Sequence, residues 1–110
     1  MLCSPSNPTG SIYTHDELKA IAEIVAKHPN LLVISDEIYE HINFTGKHES
    51  IAQFENIRDR VIIINGVSKG YAMTGWRIGF SASAKWIAKA SIKLQGQQTS
   101  RVCSIAQKAA

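Results

Sequence analysis

Three short apolar stretches, each giving way to polar side chains, constrain this chain more than any other feature. Met1-Leu2-Cys3 leads into Ser4-Pro5-Ser6-Asn7-Pro8-Thr9-Gly10, Leu31-Leu32-Val33-Ile34 into Ser35-Asp36-Glu37-Ile38-Tyr39, and Val61-Ile62-Ile63-Ile64 toward Ser68-Lys69. Asn7, Asp36 and Lys69 are thus separated by about thirty residues, the length of one strand-helix-strand unit. Continuous apolar runs of this kind suit parallel strands covered on both faces. In open α/β sheets, ligands bind in the crevice beyond the carboxyl ends of the strands. The spacing therefore predicts an α/β chain whose successive strand ends offer an amide, a carboxylate and an amine to one ligand.

The third of these ends carries the sharpest chemistry. Lys69 follows the run 61–64, and Arg77 lies further on across a glycine-containing turn. An amine at the end of a buried strand is poorly solvated, which eases its deprotonation and makes it a nucleophile. A guanidinium within one turn's reach offers a fixed fork of donors for a phosphate. The pair suits a cofactor with both an aldehyde and a phosphate, a description that pyridoxal 5′-phosphate (PLP) fits.

Three segments then carry a family likeness: Asn7-Pro8-Thr9-Gly10, Asp36-Glu37-Ile38-Tyr39, and Ser68-Lys69 through Met73-Thr74-Gly75-Trp76-Arg77-Ile78-Gly79. In this order and spacing they resemble the class I/II aminotransferases, PLP enzymes of fold type I, and most nearly the prokaryotic aspartate aminotransferases. The likeness runs over essentially the whole chain. It implies an α/β fold, a three-layer, mostly parallel sheet with flanking helices. Residues 1–110 would be the central part of the PLP-binding large domain, a fragment lacking the small domain. The implied reaction moves an amino group from an amino acid, aspartate first, to a 2-oxo acid such as 2-oxoglutarate. The implied assembly of the complete enzyme is a homodimer with shared active sites.

The resemblance also assigns roles. Lys69 would form a Schiff base with the PLP aldehyde and then shuttle a proton between the substrate α-carbon and the cofactor. Asp36 would stabilise the protonated pyridine nitrogen, on which the electron sink depends. Tyr39 and Asn7 would donate to the phenolic oxygen beside the aldehyde. The Asn7-Pro8 bond is expected to be cis, as the family suggests. Arg77 and Ser68 would hold the phosphate. Position 66 is Gly66, where many class I enzymes have a second serine, so one phosphate donor is missing or replaced by a backbone N–H. Glu37 points away from Asp36 if the backbone is extended, and is read as a solvent-facing or capping residue. Tyr71, Met73 and Trp76 are read as packing residues of the loop.

Local signals fill in the organisation. Thr14 and Glu17 form a capping box, with Tyr13 and Leu18 placed as a hydrophobic staple. Leu18, Ile21, Ala22 and Val25 then share one helical face, and His28-Pro29-Asn30 ends the helix. Ser50 is placed to cap a short helix at Ile51-Ala52-Gln53. Strands are expected at 31–34, 61–64 and 77–81, the last with its direction reversed. Trp86, Ile87, Ala90 and Leu94 recur at helical spacing, with a break expected near Gly96.

Composition excludes several classes. The net charge of +3 is mild and its basic residues are scattered, so no nucleic-acid partner is implied. No run approaches a membrane span. Cys3 and Cys103 belong to no metal or redox spacing and are read as reduced, which favours the cytoplasm. His15, His28, His41 and His48 form no metal-ligand pattern. Two rival readings stand beside amino transfer. One is a fold type I lyase or synthase using the same cofactor, the other a truncated, non-catalytic PLP-binding remnant. The family's substrate-gripping arginine would lie beyond Ala110, and its ring-stacking aromatic before Met1.

Overall fold

In a computed structural model of the chain, residues 1–99 and 101–110 are described. The α/β expectation holds, with a mostly parallel sheet and flanking helices. Strands β1 (Leu2–Cys3), β2 (Val33–Asp36), β3 (Val61–Gly66) and β4 (Gly79–Ser83) form one sheet in that spatial order. The first three are parallel, and β4 runs antiparallel to β3. Helix α1 (His15–Ala26) connects β1 to β2, and α2 (Lys85–Gln98) and α3 (Ser104–Ala109) follow β4.

The capping box at the start of α1 forms as expected. The Thr14 N–H donates to Glu17 Oε2 at 2.8 Å, and the Glu17 N–H donates to Thr14 Oγ1 at 3.3 Å. These bonds satisfy two of the donors that a helix start leaves open, and the Thr14 N–H and hydroxyl, both donating to Glu17 Oε2, hold the Glu17 carboxyl below its ordinary range. Helix α1 has no basic residue in its last turn. Arg60 supplies one from afar, its Nη1 donating to the Val25 carbonyl at 3.0 Å and the His28 carbonyl at 2.7 Å. A cation at this end also complements the helix dipole.

Leu18, Ala22 and Val25 of α1 bury themselves against Val33 and Val61 of the sheet and against Ile51 and Ile57 of the 50–60 segment. The short helix expected at Ile51–Gln53 is a 3-10 turn, and Ser50 caps it by accepting from the Ala52 N–H. One face of the sheet is therefore well covered.

The other face departs from expectation. By alternation and register, Ile34, Asp36, Ile62 and Ile64 share it. Ile34 is 40% exposed and Ile64 37%. The runs looked doubly covered because both faces are apolar, yet α1 and the 3-10 turns cover only one. Strand boundaries also shift. Leu31 and Leu32 remain outside β2 and exposed, while β3 continues through Asn65 and Gly66. Arg77 lies before β4, outside it. Helix α2 passes through Gly96 without a break, and of its expected apolar face only Ile87 is buried; Trp86 and Leu94 are exposed. Among the described residues, no helix is long and apolar enough to cross a membrane.

Two expected outcomes follow from this packing. Ile57→Ala, at a fully buried position, is expected to cost about 2–5 kcal/mol, whereas Thr14→Ala costs about 1 kcal/mol; urea unfolding measures both. Glu49 is held down to about 2 by Lys47 and Gln53, with a smaller pull from His15. Because its pKa is lowered on folding, its contribution is present above the ordinary value of 4.5 and fades as pH falls toward 2. Glu49→Gln should flatten the loss of unfolding midpoint across that interval.

Candidate active site

The backbone ladder continues beyond the strands at the end that carries the polar side chains. The Ser4 N–H donates to the Asp36 carbonyl at 3.1 Å, and the Glu37 N–H to the Ile64 carbonyl at 2.9 Å. This pairing aligns three strand ends. Asp36, half-buried at the end of β2, lines a cleft of about 510 Å³ together with Ile64, Ser68, Lys69, Thr74 and Arg77. Its Oδ1 accepts from the Ile38 N–H at 3.2 Å.

Tyr39 links the other remaining expected residue, Asn7, toward this group. The Asn7 Nδ2 donates to the Tyr39 hydroxyl at 3.1 Å, and Lys69 Nζ stands 5.8 Å from the centre of the Tyr39 ring. Four of the six singled-out residues thus share the cleft, while Asn7 and Tyr39 line a separate hollow of about 270 Å³ and reach the group only through the approach of Lys69 to the Tyr39 ring. Asn7 precedes a cis Asn7–Pro8 bond, as the resemblance implied, and Ser4–Pro5 is cis as well.

Lys69 itself differs from expectation. It is exposed rather than poorly solvated, because β3 ends at Gly66 and the lysine stands beyond it in a turn. That turn is closed by hydrogen bonds from the Tyr71 N–H to the Val67 carbonyl and from the Ala72 N–H to the Lys69 carbonyl. The loop onward to β4 contains two left-handed residues that are not glycine, Ala72 (φ 53°) and Arg77 (φ 55°). They bracket a 3-10 turn, Thr74–Trp76, and Arg77 Nη1 donates back to the Thr74 carbonyl at 3.1 Å. Tyr71 and Trp76 are exposed rather than packed, although Tyr71 meets the His41 ring edge-on.

Gly66 has a steric reason to lack a side chain. A Cβ there would lie 2.7 Å from the Ile78 carbonyl oxygen, across the Gly66–Gly79 pairing. A second serine does not fit this backbone. Nor does the Gly66 N–H substitute for one, since it donates to Asn65 Oδ1 at 2.7 Å.

Glu37 is the residue that sequence reasoning misjudged. It does point away from Asp36, but into the protein: it is 3% exposed, and its carboxylate is hydrogen-bonded to Ser35, His48 and Ser50. The alternation rule gave its direction correctly. What it meets depends on a segment eleven to thirteen residues later, which no local pattern reveals.

The family model described as aminotransferase class I and II matches residues 1–110. The chain belongs to that family. Among curated aminotransferase relatives, it is 54% identical over 109 residues to the probable aspartate/prephenate aminotransferase of Rickettsia bellii (strain RML369-C), covering 97% of this chain and 27% of that protein. It is 56% identical over 111 residues to the bifunctional aspartate aminotransferase and glutamate/aspartate-prephenate aminotransferase of Petunia hybrida, covering 100% of this chain and 23% of that protein. A solved aspartate aminotransferase from Rhizobium meliloti superposes with a TM-score of 0.91 at 40% identity, over 96% of this chain and 27% of that one. The chain thus spans about a quarter of the length of the relatives it matches.

The two glycines flanking the lysine turn should respond differently to alanine. Gly66→Ala pushes against backbone and is expected to cost about 1–3 kcal/mol. Gly70→Ala meets the His41 side chain, its Cδ2 at 2.7 Å and its Cβ at 3.1 Å; the half-exposed ring can swing away and only the Cβ contact stays, so the cost is expected to be smaller than at Gly66. Comparative thermal unfolding of the two variants tests this order.

Proposed function

We propose that this chain is the central, lysine-bearing part of the PLP-binding large domain of an aminotransferase. The complete protein moves an amino group from an amino acid to a 2-oxo acid. Aspartate is the favoured donor and 2-oxoglutarate a fitting acceptor; the names of the Rickettsia and Petunia relatives support aspartate and add prephenate as a candidate acceptor. The observation that carries the reading is one cleft gathering a carboxylate, an amine, a hydroxyl and a guanidinium at adjacent strand ends. A lyase or synthase reading is disfavoured, because the relatives reported above are aminotransferases.

The donor set suits PLP by its chemistry. Asp36 matches a cationic ring nitrogen, the Asn7–Tyr39 pair a phenolic oxygen, Lys69 an aldehyde, and Arg77 with Ser68 a phosphate. When bound, PLP supplies an electron sink that stabilises negative charge at the substrate α-carbon. Lys69 Nζ then serves as the proton carrier, taking up and releasing the α-carbon proton. Asn7 already donates to the Tyr39 oxygen, so the hydroxyl proton of Tyr39 is left to donate onward. With Gly66 unable to contribute, the phosphate end rests on Arg77 and Ser68.

The exposure of Asn7, Lys69 and Arg77 leaves the site open to water. Catalysis requires such groups to be held closely and water to be excluded, so the isolated chain should transaminate little or not at all. Exposed Ile92, Leu94 and Ile105 offer apolar surface to a second subunit, in keeping with a homodimer of the complete enzyme. The free thiols of Cys3 and Cys103 suit a reducing compartment such as the cytoplasm.

PLP titration of the purified chain, followed by borohydride reduction and peptide mapping, tests the assignment. A single label on Lys69, abolished in Lys69→Ala, is the expected result. Labelling spread over several lysines and unchanged by the substitution would sink it.

A further inference from the structure

A buried carboxylate stands between the two residues that face the cofactor. Glu37 separates Asp36 from Tyr39 by one position on one side and two on the other, and its side chain lies on the opposite side of the sheet. Its Oε1 accepts from Ser35 Oγ at 2.9 Å and from Ser50 Oγ at 2.7 Å; its Oε2 accepts from His48 Nε2 at 2.9 Å. The three donors come from three places: the strand itself, the returning chain, and the cap of the 3-10 turn whose Ile51 is fully in the core. The main chain of Glu37 is fixed too, its N–H by the Ile64 carbonyl and its carbonyl by the Glu40 N–H.

These bonds close residues 37–48 into a loop with Tyr39 inside it. Burying a charge is poor economy for stability alone, since apolar replacements of buried ion pairs are often neutral or better. A fully satisfied buried polar cluster can instead fix one local conformation. The segment fixed here is the one that carries Asp36 and Tyr39. Functional side chains need such support from behind to hold a productive geometry. Glu40 also stands near, its carboxylate within 4.8 Å of the Glu37 and His48 ligand atoms; since those two already bond each other, the cluster is satisfied without an ion.

We propose that Glu37 is a positioning residue for cofactor capture. From behind the sheet it holds the backbone of Asp36 and Tyr39 in register with Lys69. The proposal rests on the PLP reading of the cleft, and its test separates the two.

The experiment uses the full chain, with Glu37→Gln and His48→Leu, which leaves Glu37 Oε2 without its donor, beside the wild type. Glutamine keeps the size of Glu37 but replaces one acceptor oxygen by a donor, so it cannot accept all three bonds. In the cofactor-free chain, NMR would follow the contact between the Asn7 side-chain amide and the Tyr39 ring, with the Leu18 and Ile57 methyl signals as reporters of the core. PLP titration with borohydride mapping at Lys69 gives the second readout.

Both variants are expected to lose the Asn7–Tyr39 contact and to bind PLP about tenfold more weakly, the loss of roughly one charge-assisted hydrogen bond, while the core methyl signals stay in place. Unchanged PLP affinity with an intact Asn7–Tyr39 contact would overturn the proposal. So would core methyl signals that shift along with the loop, because Glu37 would then be a general stabiliser. A wild-type chain that takes no label at Lys69 would instead overturn the cofactor reading, and with it the capture role, even where the loop contact is lost as expected.

Discussion

Everything in this structure depends on the hydrogen-bonded ladder that runs past the ends of β1, β2 and β3. The bonds from Ser4 to Asp36 and from Glu37 to Ile64 carry the pairing beyond the regular strands. A parallel ladder fixes register, and a slip of one residue would turn every side chain to the opposite face. That would send Asp36 toward the core and Glu37 into the cleft. The alternation of a strand is therefore what divides one dipeptide into a group facing the site and a group facing the protein.

Much of this was legible in the sequence, for identifiable reasons. The capping box at Thr14 and Glu17 and the cap at Ser50 are local motifs whose bonds span three residues or fewer. The three strand ends were legible because polar residues interrupt apolar runs at the spacing of a crossover between parallel strands, although the crossover from β2 to β3 carries 3-10 turns where the spacing suggested an α-helix. The likeness to the aminotransferases added Tyr39 and set it on the same oxygen as Asn7, a partnership no local pattern contains.

What stayed hidden depends on the rest of the fold. An apolar strand states that a face can be covered, not that it is. Ile34 and Ile64 show the difference. The solvation of Lys69 could not be read either, because it turns on where β3 ends, two residues later than its apolar run. The bonds of Glu37 to His48 and Ser50 and the long reach of Arg60 to the end of α1 are tertiary contacts between separate segments of the chain. Hydrogen-bonding side chains at such distances leave no periodic trace.

The left-handed conformation of Arg77 has a consequence for how this protein can change. A side chain in that region costs about 1 kcal/mol or more, which glycine would not pay. Selection for a sturdier chain would thus drift toward glycine at this position, whereas, under the phosphate role proposed for Arg77, selection for cofactor binding would keep the guanidinium. The two pressures act on one residue in opposite directions, as often happens where backbone strain meets a functional site. Arg77 is where a laboratory lineage bred only for stability would first part company with one bred for cofactor retention.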